Sequence, residues 1–181
     1  CVPSSKRFVT PAVAAVLRRR LPAFVDAVLL LSNADKAWAD MAVEEVEPDL
    51  VQFHGAESAA FCHGFAHRYL KGVSVRSSAD VYAAAREFPH AAGLLLDSHA
   101  ADGMGGTGQA FDWSQIPPDV EVPLILAGGL HPENVGLAVR MCAPFAVDVS
   151  SGIEAAPGRK APEKMRAFVE AVRLADAEMN R

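Results

Sequence analysis

Three short apolar runs between Leu94 and Ser151 each stop abruptly at a polar loop: LLLDS ahead of GGTGQAFDW, LILAGGL ahead of HPEN, and AVDVSSGIE ahead of APG. An apolar run of about four to six residues, ended by Asp, Gly or Ser and followed by a helical pattern, marks a buried parallel strand meeting its βα loop. Three such ends in succession, all polar at the carboxyl end, predict one functional face.

The alternation extends along the chain. Thr10-Pro11 predicts a helix start, with Pro at the first helical position and a run to about Arg20. A strand follows over Val25 to Leu31, then a helix capped by Asn33 or Asp35 and reaching about Val46. Leu50 to Phe53 reads as a strand, Glu57 or Ser58 opens a helix to Arg68, and Lys71 to Val75 is the weakest strand. A helix from Ser78 to about Glu87, a strand over Gly93 to Leu96 and a long Gly-rich loop to Pro118 come next. Pro123 to Ala127, a helix from Pro132 to Met141, a strand over Ala146 to Val149 and a helix from Pro162 to about Met179 complete the pattern. Strands alternating with helices predict a parallel sheet with right-handed crossovers, either doubly wound or a barrel. A doubly wound nucleotide binder carries its Gly-rich turn after the first strand, whereas here the Gly and Ser turns follow the last strands, which is the barrel arrangement.

With 181 residues and 51% hydrophobic content, the chain can bury one substantial core, and a single domain over 1–181 is expected. The net charge of −5 and the absence of a long Lys/Arg run argue against a nucleic-acid binder; the densest cluster, Arg18 to Arg20, reads as a helix end. No apolar stretch reaches the roughly 18 residues of a membrane span and no signal-peptide pattern opens the chain, so a soluble, cytoplasmic protein without a membrane partner is expected. Cys1, Cys62 and Cys142 are too scattered for a disulfide framework or a zinc spacing, and Cys62 and Cys142 read as small core residues. The six His residues lack metal-ligand spacing, so no metal and no cofactor is expected.

Six segments in order, PSSKRFV at 3–9, VQFHGAES at 51–58, LLLDS at 94–98, GGTGQAFDW at 105–113, AGGLHPENV at 127–135 and AVDVSSGIEAAPGRKAPEKMRAFV at 146–169, resemble phosphoribosylanthranilate isomerase, a (β/α)8 TIM barrel of the tryptophan pathway. The resemblance covers almost the whole chain. Family members begin with a strand whose Cys motif supplies the catalytic base, then a helix and a second strand. Cys1, at the end of that second strand, is not the motif cysteine, so the expected fold is an α/β (β/α)8 barrel truncated at its amino end, lacking the first βα unit and most of strand 2. The segment from Ala59 to Val75 matches poorly, and His131 stands where the family usually has Asn.

The family reaction is an Amadori rearrangement, which needs an acid to open the ribose ring and a base to remove the neighbouring carbon-bound proton. The resemblance makes Asp97 the acid; taken alone, an Asp at an apolar strand end equally caps a loop. Gly turns at 127–130 and 150–153 bring backbone N–H groups together with little bulk, which suits phosphate but is also what any tight βα turn requires. The resemblance assigns phosphate to Gly128, Gly129, Ser151 and Gly152. It further implies that Arg7 meets the anthranilate carboxylate and that Asp148 orients the substrate, against plain readings as a surface cation and a loop hydrogen-bond partner. His54 is a substrate-facing candidate at a strand end, where a packing role is the common alternative. Gly105, Gly106 and Gly108 suggest a flap anchored by Phe111 and Trp113.

The expected ligand is thus a small sugar phosphate, with an active isomerase as the main reading. A non-catalytic barrel relative that binds a sugar phosphate or a partner chain is the alternative, with homo-oligomer formation as one way to cover an open barrel edge. A third reading, an indole-glycerol-phosphate synthase relative, lacks the expected catalytic Lys at a strand end.

Overall fold

The computed structural model describes residues 1–97 and 112–179. Six parallel strands, β1 (Val28–Leu31), β2 (Leu50–Phe53), β3 (Tyr69–Ser74), β4 (Gly93–Asp97), β5 (Leu124–Ala127) and β6 (Ala146–Val147), hydrogen-bond in chain order. Before, between and after them come α1 (Pro11–Arg18), α2 (Lys36–Val46), α3 (Ala59–His63), α4 (Ser78–Glu87), α5 (Val135–Cys142) and α6 (Pro162–Met179). A short antiparallel hairpin, β7 (Glu154–Ala156) with β8 (Arg159–Lys160), was not legible in the apolar pattern because neither strand carries one.

The chain packs as two compact units. In the first, Cys1–Gly72 with Glu87–Gly93, Val28 pairs with Leu50 and Val51 with Tyr69, so β2 lies between β1 and β3 and is buried at every position. The Phe53 ring is fully buried, with the rings of Phe61, Phe65 and Tyr69 centred 5.4–5.9 Å away. Truncating such a side chain to Ala costs about 3–5 kcal/mol. In the second unit, Val73–Arg86 with Leu94–Arg181, Leu94 pairs with Leu124 and Ile125 with Ala146. Its core joins Leu126 and Leu130 to Val135, Ala138 and Val139 of α5 and to Phe168 and Ala175 of α6.

The helix starts follow the predicted caps. Thr10, Asp35 and Ser58 accept from Val13 N, Trp38 N and Phe61 N, each satisfying one of the orphan donors of a first turn. Several boundaries differ from expectation, β3 running over Tyr69–Ser74 in place of Lys71 to Val75 among them. The first strand begins at Val28 and not Val25, because Phe24 takes φ +67° and Ala27 is held sideways by the Asp49 carboxylate at 2.7 Å. α3 stops at His63 because Gly64 closes it and Phe65 turns inward onto Phe53. α5 begins at Val135 because Asn134 first ties a turn, accepting from His131 N and donating to Gly129 O. β6 is two residues long, although Asp148 N still donates to Leu126 O at 2.8 Å.

Among the described residues no helix is long and apolar enough to cross a membrane.

Candidate active site

The second unit gathers six of the expected site residues at the carboxyl ends of its strands. Asp97 closes β4 in register with Ala127, the last residue of β5. Asp148 directly follows the pair Leu126–Val147, so it stands level with Ala127 on the other side. Two carboxylates therefore flank one strand end, with backbones two sheet spacings or about 10 Å apart. Asp97 is half-buried and Asp148 exposed, so a polar molecule over β5 would meet both.

Just beyond β5 the chain turns through Gly128 at φ +80° and Gly129 at φ +65°, a left-handed pair that a side chain would strain. Leu130 and His131 then run against the Ser151–Gly152 turn. A Cβ on Gly152 would overlap the Leu130 carbonyl oxygen and lie 3.0 Å from the His131 Cα, so the two glycine loops touch through backbone alone. Converging backbone with no side chain between is the arrangement that lets N–H groups reach an anion. His131 is turned to Glu133, its Nδ1 2.6 Å from the carboxylate; the Glu133 pKa is lowered first by its own backbone N–H and then by that histidine.

In the first unit, Arg7 is exposed in the loop ahead of α1, and His54 follows β2 with its N–H donating to Leu31 O at 2.8 Å. The His54 ring lies over Gly72: a Cβ there would stand 2.7 Å from Nδ1. Gly105, Gly106, Gly108 and Phe111 lie outside the described residues, while Trp113 is buried in the second unit's core.

Two features escaped the sequence reading. Glu57, expected as a helix cap, is buried, with its Oε1 accepting from Asn33 N at 2.6 Å and its Oε2 from Gly55 N at 2.8 Å. Its partner is Lys71 at 3.5 Å, and both side chains are about 5% exposed or less. Lys71 Nζ also donates to the carbonyls of Phe53, Gly55 and Gly72, tying the end of β2 to β3. A Lys within the otherwise apolar run YLKGV was the available signal. The second feature is the pair Glu154–Lys160 on the β7–β8 hairpin, at 3.2 Å, with the Glu154 side chain buried. Charges flanking Pro157-Gly158 were its signal, and Gly158 adopts φ +79° in the turn.

The cysteines are free thiols. Burial pushes the thiols of Cys62 and Cys142 up to about 11, which keeps both protonated and inert near neutral pH.

The model of the N-(5'-phosphoribosyl)anthranilate (PRA) isomerase family matches residues 1–171. Relatives carrying that enzyme name in Bordetella petrii and Dechloromonas aromatica are each 48% identical, over 96% of this chain and 83% of their own length. The crystal structure of phosphoribosyl anthranilate isomerase from Thermotoga maritima superposes with TM-score 0.86 at 35% identity, covering 95% of this chain and 84% of that one. A phosphoribosyl anthranilate isomerase in complex with reduced 1-(o-carboxyphenylamino)-1-deoxyribulose 5-phosphate superposes with TM-score 0.78 at 31% identity, covering 95% and 84%.

Proposed function

Because the chain belongs to the N-(5'-phosphoribosyl)anthranilate isomerase family, we propose that it is an aldose–ketose isomerase of tryptophan biosynthesis. It converts N-(5'-phosphoribosyl)anthranilate into the carboxyphenylamino-deoxyribulose phosphate. The observation that carries this reading is the pair Asp97 and Asp148 flanking the end of β5, with two touching glycine loops just beyond. The sugar lies over β5, its phosphate on the amides of Gly128, Gly129, Ser151 and Gly152. Asp97 protonates the ring oxygen and so opens the furanose. By the family resemblance, Asp148 orients the sugar and Arg7 meets the anthranilate carboxylate, with His54 a substrate-facing candidate.

The base that removes the carbon-bound proton is neither Cys62 nor Cys142, whose thiols stay protonated. The resemblance assigns it to a cysteine on a strand ahead of Cys1. The outer side of β1 supports such a partner: Val28 and Leu30 are 46% and 37% exposed there, beside an apolar groove of about 280 Å³ lined by Leu17, Leu21 and Val46. The Cys1 nitrogen donates to Leu30 O at 2.7 Å, as a neighbouring strand would. On this reading residues 1–181 belong to a (β/α) barrel domain that works in the cytoplasm on a small sugar phosphate.

Fluorescence-monitored turnover of N-(5'-phosphoribosyl)anthranilate tests it. The chain alone is expected to be inactive, and a form extended by about 25–30 residues at its amino end, one βα unit and a strand, active. Equal turnover by both overturns the need for a cysteine ahead of Cys1, and no turnover by either overturns the enzyme. The inert buried thiols favour one second reading, a relative that binds a sugar phosphate without turning it over, with a second copy covering the β1 edge. Saturable phosphate binding by an inactive extended form, with self-association, would be its signature.

A further inference from the structure

The carboxylate of Glu154 is buried two residues after Gly152, close behind the turn assigned above to the substrate phosphate. A buried anion there opposes a bound dianion unless a cation stands with it. Lys160 reaches across the β7–β8 hairpin and makes two contacts with one Nζ: Glu154 Oε1 at 3.2 Å and the Ser150 carbonyl oxygen at 2.7 Å. Lys164, from the first turn of α6, donates to the Glu154 carbonyl oxygen at 2.9 Å, and Gly158 N donates to its side chain at 3.3 Å. Ser150 is thus held from below by the group that neutralises Glu154.

We propose that Lys160 is a positioning residue for the phosphate turn: paired with Glu154, it holds Ser150 and so sets the amides of Ser151 and Gly152, while cancelling the one buried carboxylate beside them. It touches no reacting atom. The inference rests on the assignment of the phosphate to this turn.

The test is inorganic phosphate binding, read by calorimetry on the 181-residue protein. Lys160→Met removes the cation paired with Glu154 together with the contact to Ser150, and is expected to weaken phosphate about tenfold or more. Lys160→Arg keeps the cation and is expected to stay within about threefold of the parent; Glu154→Gln with Lys160→Met removes the carboxylate as well and, still without the Ser150 contact, is expected to recover only part of the loss. Lys36→Met, on the exposed face of α2, is the control and leaves binding unchanged. In an active extended form Lys160→Met raises KM by about the same factor, with kcat within about twofold, because a phosphate handle is held equally in ground and transition states.

If the parent binds phosphate and Lys160→Met binds it within about twofold, the inference alone is overturned. It is also overturned if the double variant is as weak as Lys160→Met, or if Lys160→Arg loses more than about tenfold; the Lys160→Arg outcome holds even when Lys160→Met does not fold. No saturable phosphate binding by the parent overturns the phosphate assignment itself, and the role of Lys160 with it.

Discussion

Gly152 packs its Cα against the peptide of Leu130, so closely that a Cβ would overlap the Leu130 carbonyl oxygen. The contact joins the loop after β5 to the loop after β6 without any side chain between them. Gly152→Ala therefore forces the loops apart. We expect a loss of about 1–3 kcal/mol in urea unfolding, typical of overpacking, together with phosphate affinity lowered at least about tenfold. An alanine variant of parental stability and affinity would mean that the loops do not meet in solution.

Asp97 closes β4 level with the last residue of β5. In an active extended form, Asp97→Asn keeps the shape and removes the transferable proton, so kcat is expected to fall by about 10²-fold or more. Steady-state fluorescence kinetics decide it, and a parental rate would remove Asp97 from the chemistry.

Lys71 and Glu57 form a buried pair at 3.5 Å that bonds the backbone just after β1 and β2 and Gly72 within β3. Removing one partner strands the other, so Lys71→Met should cost about 3–5 kcal/mol in chemical denaturation. Glu57→Gln added to Lys71→Met should recover part of that loss. A double variant less stable than Lys71→Met would show that the carboxylate's bonds to Asn33 N and Gly55 N outweigh its charge.

The buried thiols set an alkaline limit. Their pKa values lie near 11 in the fold against 9.0 in an open chain, because burial disfavours the thiolate. The protonated form is the one the fold favours, so this contribution is complete below about pH 9 and is lost as pH rises through 11. Urea midpoints should drop between about pH 9 and 11, and Cys62→Ala with Cys142→Ala should flatten that drop. At pH 8, Ellman's reagent should find Cys62 and Cys142 unreactive until the protein unfolds; rapid labelling of both would contradict their burial.

His54 sits over Gly72. Gly72→Ala pushes the imidazole away, so in an active extended form KM should rise while His54→Ala alone gives a change of the same sign. Opposite signs would separate the packing of His54 from any contact with substrate.

Much of this was readable from local chemistry. The strand β2 and the helix α6 fall on the predicted residues, since their apolar pattern, caps and prolines are local signals. The boundaries at Val28 and His63 were not, because groups elsewhere in the chain set them: Asp49 holding Ala27 and Phe53 receiving Phe65. Glu57 shows the same limit at the site. A Glu ahead of Ser58 looks like a helix start, and only the arrival of Lys71 from another strand makes it a buried anion.

By itself, then, the sequence determined the alternation of strands and helices, the polar carboxyl ends of β4, β5 and β6, and a family resemblance that the family match and the Thermotoga maritima structure bear out. Those properties depend on residues near one another in the chain. The tertiary structure alone decided that Gly152 touches Leu130, that Lys71 joins the end of β2 to β3, and that Lys160 stands between Glu154 and Ser150. Each joins residues brought together by packing, and no periodicity or spacing encodes which buried charge will find which partner.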